Sequence, residues 1–222
     1  YYDGQVDDAR LAVNMAQTAV DQTATVVNYM KVTGLLKEEG IVSGVTAVDG
    51  ETGKPYEIPA RSVINATGVF TDAVLEMDDP DSEKMILPSQ GVHLVFDKSF
   101  LPGESAIMVP HTADGRVLFA TPWHDRVVVG TTDIPVPDIS LEPRPMEEEI
   151  DFLLTHAAHY LTKDPSSSDI LSMFAGLRPL VKQGSEDSTA AVSRDHTIHI
   201  SRSGLVTIAG GKWTTCRKMA ED

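Results

Sequence analysis

The residues whose types suit chemistry lie far apart in the chain. Near its end, Val206-Thr207-Ile208-Ala209 reads as an apolar strand entering Gly210-Gly211-Lys212-Trp213-Thr214-Thr215, a diglycine turn and then a hydroxyl-capped helix start. Glycines let a ligand approach the backbone, and the free N–H groups of a helix start favour a partial negative charge. The same residues also read as a tight strand-to-helix turn with Thr214 or Thr215 as an ordinary N-cap. Asn65-Ala66-Thr67-Gly68, after the apolar Val63-Ile64, ends a strand with small residues against which a ligand or a neighbouring segment packs closely, although Asn and Gly are equally at home in plain turns. His93, inside Val92-His93-Leu94-Val95-Phe96, suits a general base or a hydrogen-bonded core histidine. Arg178, in Gly176-Leu177-Arg178-Pro179-Leu180, carries a guanidinium that takes a phosphate or polarises a carbonyl bidentately, or pairs with a surface carboxylate. Arg116, directly after Asp114-Gly115, is a further cation or a solvated charge beside a turn. His156 and His159 lie three apart without a matching carboxylate or third ligand, so no metal site is expected.

Cations that gather on one anion must build a positive basin against an opposing field, because the 222 residues hold 18 Lys and Arg against 33 Asp and Glu, a formal net charge of −15. That balance argues against nonspecific nucleic-acid binding, which needs a dense basic surface to release counterions. Cys216 is the single cysteine, which excludes an intramolecular disulfide and any multi-cysteine zinc site and favours a reducing, cytoplasmic setting. No uncharged stretch approaches the roughly 18 residues that span a bilayer, and Tyr1-Tyr2-Asp3-Gly4 lacks the basic and apolar regions of a signal peptide. The absent initiator methionine, and a helical pattern from Thr214 that stops after two turns, lead us to expect a piece of a longer protein with an element missing at each end.

Positioning these groups falls to a mixed set of elements. Residues 7–25 have a helical period with a broad apolar face (Val6, Leu11, Val13, Met15, Ala16, Ala19 and Val20), which predicts a helix buried on that face. Short β-rich runs follow at 25–29, 31–36, 41–49, 55–59 and 62–66, broken at Glu39-Gly40 and at 50–53, as in a strand and meander. The charged, proline-bearing stretch 76–83 reads as a solvated connection and a unit boundary. Strands at 91–96, 106–110, 116–122 and 126–131, with turns at 113–115 and at His124-Asp125, predict an antiparallel sheet. Four prolines make 135–145 a loop, and 146–160 is helical with Glu147, Glu148 and Glu149 in its first turn. Strands at 170–177, 189–194, 197–201 and 206–209 complete an α+β chain.

Six blocks now stand in one order: Asp7-Asp8-Ala9-Arg10-Leu11, Asn65-Ala66-Thr67-Gly68, Gly91-Val92-His93-Leu94, Pro122-Trp123 with Gly130-Thr131-Thr132-Asp133, Gly176-Leu177-Arg178-Pro179-Leu180, and Gly210-Gly211-Lys212-Trp213-Thr214-Thr215. Together, over nearly the whole chain, they resemble the FAD-dependent glycerol-3-phosphate dehydrogenases. The resemblance implies a flavoprotein of the D-amino-acid-oxidase-like group, with a Rossmann-like FAD domain and an antiparallel-sheet substrate domain. In that frame residues 1–80 are part of the FAD domain, 81–205 the substrate domain, and 206–222 a return to the FAD domain. The family's N-terminal Gly-rich dinucleotide turn and its C-terminal helical domain have no counterpart here, so this segment alone is expected to bind FAD weakly or not at all.

The activity implied is oxidation of sn-glycerol 3-phosphate to dihydroxyacetone phosphate with electrons passed to quinone. His93 takes the hydroxyl proton as the C2 hydride leaves for flavin N5; Arg116, Arg178 and Lys212 hold the anionic substrate; Asn65 to Gly68 and Gly210 to Thr215 face the cofactor, where the reduced ring gathers charge. Quinone implies peripheral contact of the parent with the inner face of the cell membrane, outside this segment. Two alternatives stand beside this reading: a glycerol-3-phosphate oxidase or another flavin enzyme acting on an amino acid or hydroxy acid, and a cofactor-free domain that only binds a small anion.

Overall fold

The computed structural model describes residues 4–109, 112, 116–182 and 195–222. The turn expected at 113–115 and the strand expected at 189–194 lie outside them.

Helix α1 (Asp8–Asp21) starts where a carboxylate can receive its first free N–H, the Asp7 side chain accepting from the Arg10 amide at 3.0 Å. The expected burial of its apolar face is not found: no residue of α1 is buried, and Val13, Met15 and Val20 are exposed. The hydrophobic period makes the helix, but burial needs a facing surface, and among the described residues none covers these three side chains. Residues 25–29 form no strand, because Tyr29 turns at φ +55° and its carbonyl accepts from Gly50.

The meander follows as β1 (Met30–Glu38), β2 (Ile41–Asp49) and β3 (Pro55–Pro59), an antiparallel three-stranded sheet. Glu39 and Gly40, at φ +51° and +83°, make the two-residue turn whose twist suits a hairpin. Strand β4 (Ile64–Asn65) is shorter than expected, and α2 (Thr71–Asp78) claims the first three residues of the stretch read as a solvated connection. Asp78 departs from that reading because it is partnered: its carboxylate pairs with Lys37 at 2.8 Å and accepts from the Ser203 hydroxyl at 2.7 Å.

The central sheet has six strands: β5 (Ile86–Asp97), β6 (Ile107–Val109), β7 (Leu118–Trp123), β8 (Arg126–Gly130), β9 (Ile134–Pro135) and β10 (Ser172–Val181). Its order is β10-β5-β8-β7-β6, with β9 also on β5, and every pairing is antiparallel, as the sequence predicts. Helix α3 (Glu147–Ala157) packs across one face, where Val92, Leu94 and Phe96 of β5 meet Leu153 and Ala157 in the main core. Alternation along β5 therefore turns His93 and Val95 to the other face.

A third sheet joins β11 (His196–Ile200), β12 (Val206–Gly210) and β4, with β12 and β4 parallel. Buried Asn65 ties it to α2, donating to the Thr71 carbonyl at 3.1 Å. Strand β11 falls within the span expected as the second unit, yet it pairs with β12 rather than with the central sheet. A 3₁₀ turn at Trp213–Thr215 and the short α4 (Cys216–Glu221) end the chain.

Candidate functional site

The face of the central sheet turned away from α3 carries His93 and Arg178. His93 lies opposite Phe174 on β10 and stacks on it, ring centroids 5.0 Å apart at 13°. On its other side it lies opposite Gly130 of β8, and a Cβ there would come within 2.7 Å of the imidazole Cγ and Nε2. Only the missing side chain of Gly130 lets the ring lie flat across the strand. Gly91 does the same for Arg178: a Cβ at Gly91 would lie 2.6 Å from Nη1. Because Gly91 and His93 are two positions apart on one strand, the guanidinium and the imidazole are neighbours on one face.

The segment after β8 fixes the guanidinium. Nη1 donates to the Thr132 carbonyl at 3.1 Å and Nη2 to the Thr131 hydroxyl at 2.9 Å, with the Asp133 carboxylate 4.0 Å from Nη1. Asp133 in turn accepts from the Ser89 hydroxyl. The Arg178 side chain keeps 24% of its exposure, enough to meet a ligand without leaving these partners. Burial lowers the pKa of His93, the Arg178 charge lowers it further, and Asp8 at the start of α1 opposes them. The imidazole is therefore neutral, with a lone pair to offer, over more of the acidic range than an ordinary histidine.

The diglycine turn reaches the same neighbourhood. Gly210 and Gly211 sit at φ +75° and +76°, a path that side-chain-bearing residues rarely take, and Met219 of α4 packs so close that a Cβ on Gly211 would lie 2.5 Å from its Sδ. Arg178, Gly210, Gly211, Lys212 and Trp213 line one cleft of about 300 Å³. A second cleft, of about 860 Å³, is walled by Ile64, Ala66, Leu177, Pro179 and Ile208 beneath the same turn. It runs along one face of the β11-β12-β4 sheet, from Ile64 and Val206 at the start of the parallel pair to Gly210 at the end of β12. Lys212 is exposed, and Thr215 turns its hydroxyl back to the Lys212 backbone, accepting from its amide at 3.1 Å and donating to its carbonyl at 3.0 Å.

The expected residues thus divide. His93 and Arg178 share a face, Arg178 and Lys212 share a cleft, and Ala66 meets Gly210, Gly211 and Trp213 in the larger one. Asn65 and Thr67 bind each other at 2.7 Å, and Gly68 at φ +61° gives its carbonyl to the Thr71 hydroxyl at 2.7 Å, so these three shape the turn after β4. Thr214 is exposed in the terminal 3₁₀ turn. Arg116 is not brought to this face: its guanidinium carbon lies 4.2 Å from the Phe152 ring centroid, on the side where α3 covers the sheet. It stands two positions before the buried Leu118, and alternation sends both to the core side.

Sequence reasoning assigned no role to Gly91, Gly130, Thr131, Thr132, Asp133 or Phe174, which hold the pair in place. Two glycines inside strand patterns were the available signal. Among the described residues no group of His, Cys, Asp and Glu could hold a metal ion, and no helix is long and apolar enough to cross a membrane. His156 is half-buried with Nδ1 2.8 Å from the Phe152 carbonyl.

Comparison with known proteins adds to this geometry. A family model described as FAD dependent oxidoreductase matches residues 1–217. Over 230 residues the chain is 44% identical to the mitochondrial glycerol-3-phosphate dehydrogenase of Homo sapiens, covering 100% of this chain and 32% of that protein. It is 43% identical over 241 residues to the mitochondrial glycerol-3-phosphate dehydrogenase of Schizosaccharomyces pombe, covering 100% of this chain and 37% of that protein. The solved structure of glycerol-3-phosphate dehydrogenase from Bacillus halodurans complexed with FAD superimposes with a TM-score of 0.85 at 38% identity, covering 98% of this chain and 42% of that one. The chain thus spans well under half the length of each of these relatives.

Proposed function

The chain belongs to the FAD-dependent oxidoreductase family, and on that premise we propose that, within a protein of the relatives' full length, it supplies the substrate-facing part of an enzyme oxidising sn-glycerol 3-phosphate to dihydroxyacetone phosphate. The observation that carries this reading is the pairing of a neutral-leaning imidazole with a part-exposed guanidinium on one open sheet face, beside the cleft under the diglycine turn.

The apolar walls of the larger cleft, Ile64, Ala66, Leu177 and Pro179, suit a flat conjugated ring, with Lys212 and Trp213 at its rim. FAD bound there would supply the hydride acceptor. The chain's own residues do the rest. Oxidation at C2 removes a hydride and a hydroxyl proton, and a ring nitrogen of His93 takes the proton. Arg178, held by Thr131 and Thr132, sets a fixed pair of donors on the substrate's oxygens, and Lys212 adds a mobile cation for its phosphate. The central sheet then forms the substrate unit, and residues 1–80 with 206–222 belong to the FAD unit. Electron transfer to quinone, a peripheral membrane contact and a cytoplasmic setting complete the reading.

The test is dye-linked oxidation of glycerol 3-phosphate by the full-length protein, run beside glycerol, glycine and lactate. Turnover of glycerol 3-phosphate alone, lost in Arg178→Ala, is the expected result. Equal turnover of the uncharged alcohol, or preference for an amino or hydroxy acid, contradicts it. Replacing the dye by oxygen or a quinone analogue separates an oxidase from a quinone-linked dehydrogenase.

A further inference from the structure

Glu149 is one of three acidic residues in the first turn of α3, yet it differs from its two neighbours. Glu147 and Glu148 are exposed, whereas Glu149 is wholly buried. A carboxylate taken out of water needs partners, and this one has three. Its Oε2 accepts from the Met146 amide at 3.0 Å, which caps the helix, and from Gln90 Nε2 at 2.6 Å. Its Oε1 accepts from the Thr132 hydroxyl at 2.6 Å, a bond that helix capping does not need.

Thr132 stands between the two faces of the sheet. On the α3 side its hydroxyl accepts from the Val92 amide at 2.9 Å and donates to Glu149; on the open side its carbonyl accepts from Arg178 Nη1. We infer that Glu149 is a positioning residue for Arg178, acting through Thr132 from the opposite side of the sheet. The inference rests on the functional reading of Arg178 given above and extends it to a residue that touches no ligand. The acceptor-only chemistry of a carboxylate is what the place requires, because every neighbour that reaches it is a donor. In Glu149→Gln, an N–H turned toward Thr132 makes that hydroxyl accept and leaves its own hydrogen without the acceptor it had, and an N–H turned the other way faces the donors Gln90 and Met146. The strain falls on Thr132 and so on the carbonyl that aims Arg178.

The experiment is a double-mutant cycle on the full-length flavoprotein carrying this chain, with glycerol 3-phosphate as substrate. Glu149→Gln is expected to raise KM by about tenfold with kcat nearly kept, the loss expected when one charge-assisted hydrogen bond to substrate weakens. Thr132→Val, which keeps the side-chain volume and removes the hydroxyl, should reproduce that KM change and serves if Glu149→Gln does not fold. Glu148→Gln, on the same turn, should leave KM unchanged. In an Arg178→Lys background Glu149→Gln should add little, because both changes act on one contact. Fully additive losses, or an unchanged KM in both Glu149→Gln and Thr132→Val, overturn the inference alone. An Arg178→Lys variant with unchanged kcat/KM overturns the functional reading and this inference together, and is told apart by that single variant.

Discussion

His93 and Arg178 illustrate what a residue's surroundings do to its chemistry. Half-buried against Phe174 and beside a guanidinium, His93 resists protonation, so its pKa lies below the ordinary histidine value. Sign follows from cause: Arg178→Ala removes a positive charge and opens the site, so the His93 titration should move up, whereas Asp8→Asn removes the one opposing charge and should move it down. Titration of the His93 Cε1 proton by NMR reads both shifts, and a shift in the opposite direction in either variant contradicts the arrangement. Because the folded value is the lower one, the His93 contribution to stability is fully present above the unfolded pKa and is lost as pH falls through the ordinary value toward the folded one. Both residues were legible in the sequence as types with two readings each. The structure adds the neighbours that distant segments bring to each: Phe174 and Gly130 to His93, and Gly91, Thr131 and Thr132 to Arg178. Arg116 shows the converse, since its position two residues before Leu118 carried the parity that turns it toward α3 and Phe152.

Strands and turns explain why those side chains are neighbours. The antiparallel pairing of β5 with β10 and β8 sets His93 against Phe174 and Gly130, and glycines clear the space above the strands. Gly91→Ala places a methyl group where the Arg178 guanidinium lies. The far end of a flexible side chain can swing away, so the thermal midpoint should change little while kcat/KM falls by about a hundredfold, the order expected of a misplaced anchoring group. Unchanged kinetics in a folded Gly91→Ala protein would show that the guanidinium position is immaterial. Most of this framework was legible: the meander, the antiparallel sheet, the proline loop and α3 all follow from period, turn residues and capping signals. The end of helix α2 was hidden because Asp78 stands among solvent-facing charges, and nothing local reveals that Lys37 and Ser203 come to meet it. The exposure of α1 was equally illegible, since an apolar stripe specifies a preference for burial and not its partner.

At the scale of the whole molecule, the described residues are laid out as three sheets. The central sheet presents His93 and Arg178, and the sheet of β11, β12 and β4 presents the diglycine turn beside Arg178. A net charge of −15 surrounds this site, so the few cations that do converge must be held in place by specific partners. Thr131 and Thr132 do that for Arg178. The proposed function comes down to one claim: within a protein of the relatives' full length, His93 on β5 and Arg178 on β10 would act as base and anion-holding cation in the oxidation of a phosphorylated alcohol at a flavin. The direct measurement is the rate at which glycerol 3-phosphate bleaches the bound flavin when mixed without oxygen with the full-length protein, in the wild type and in His93→Gln. Slowing of about a hundredfold or more in His93→Gln, with substrate affinity nearly kept, is the predicted result. Bleaching at the wild-type rate in a folded, flavin-loaded His93→Gln protein would contradict it.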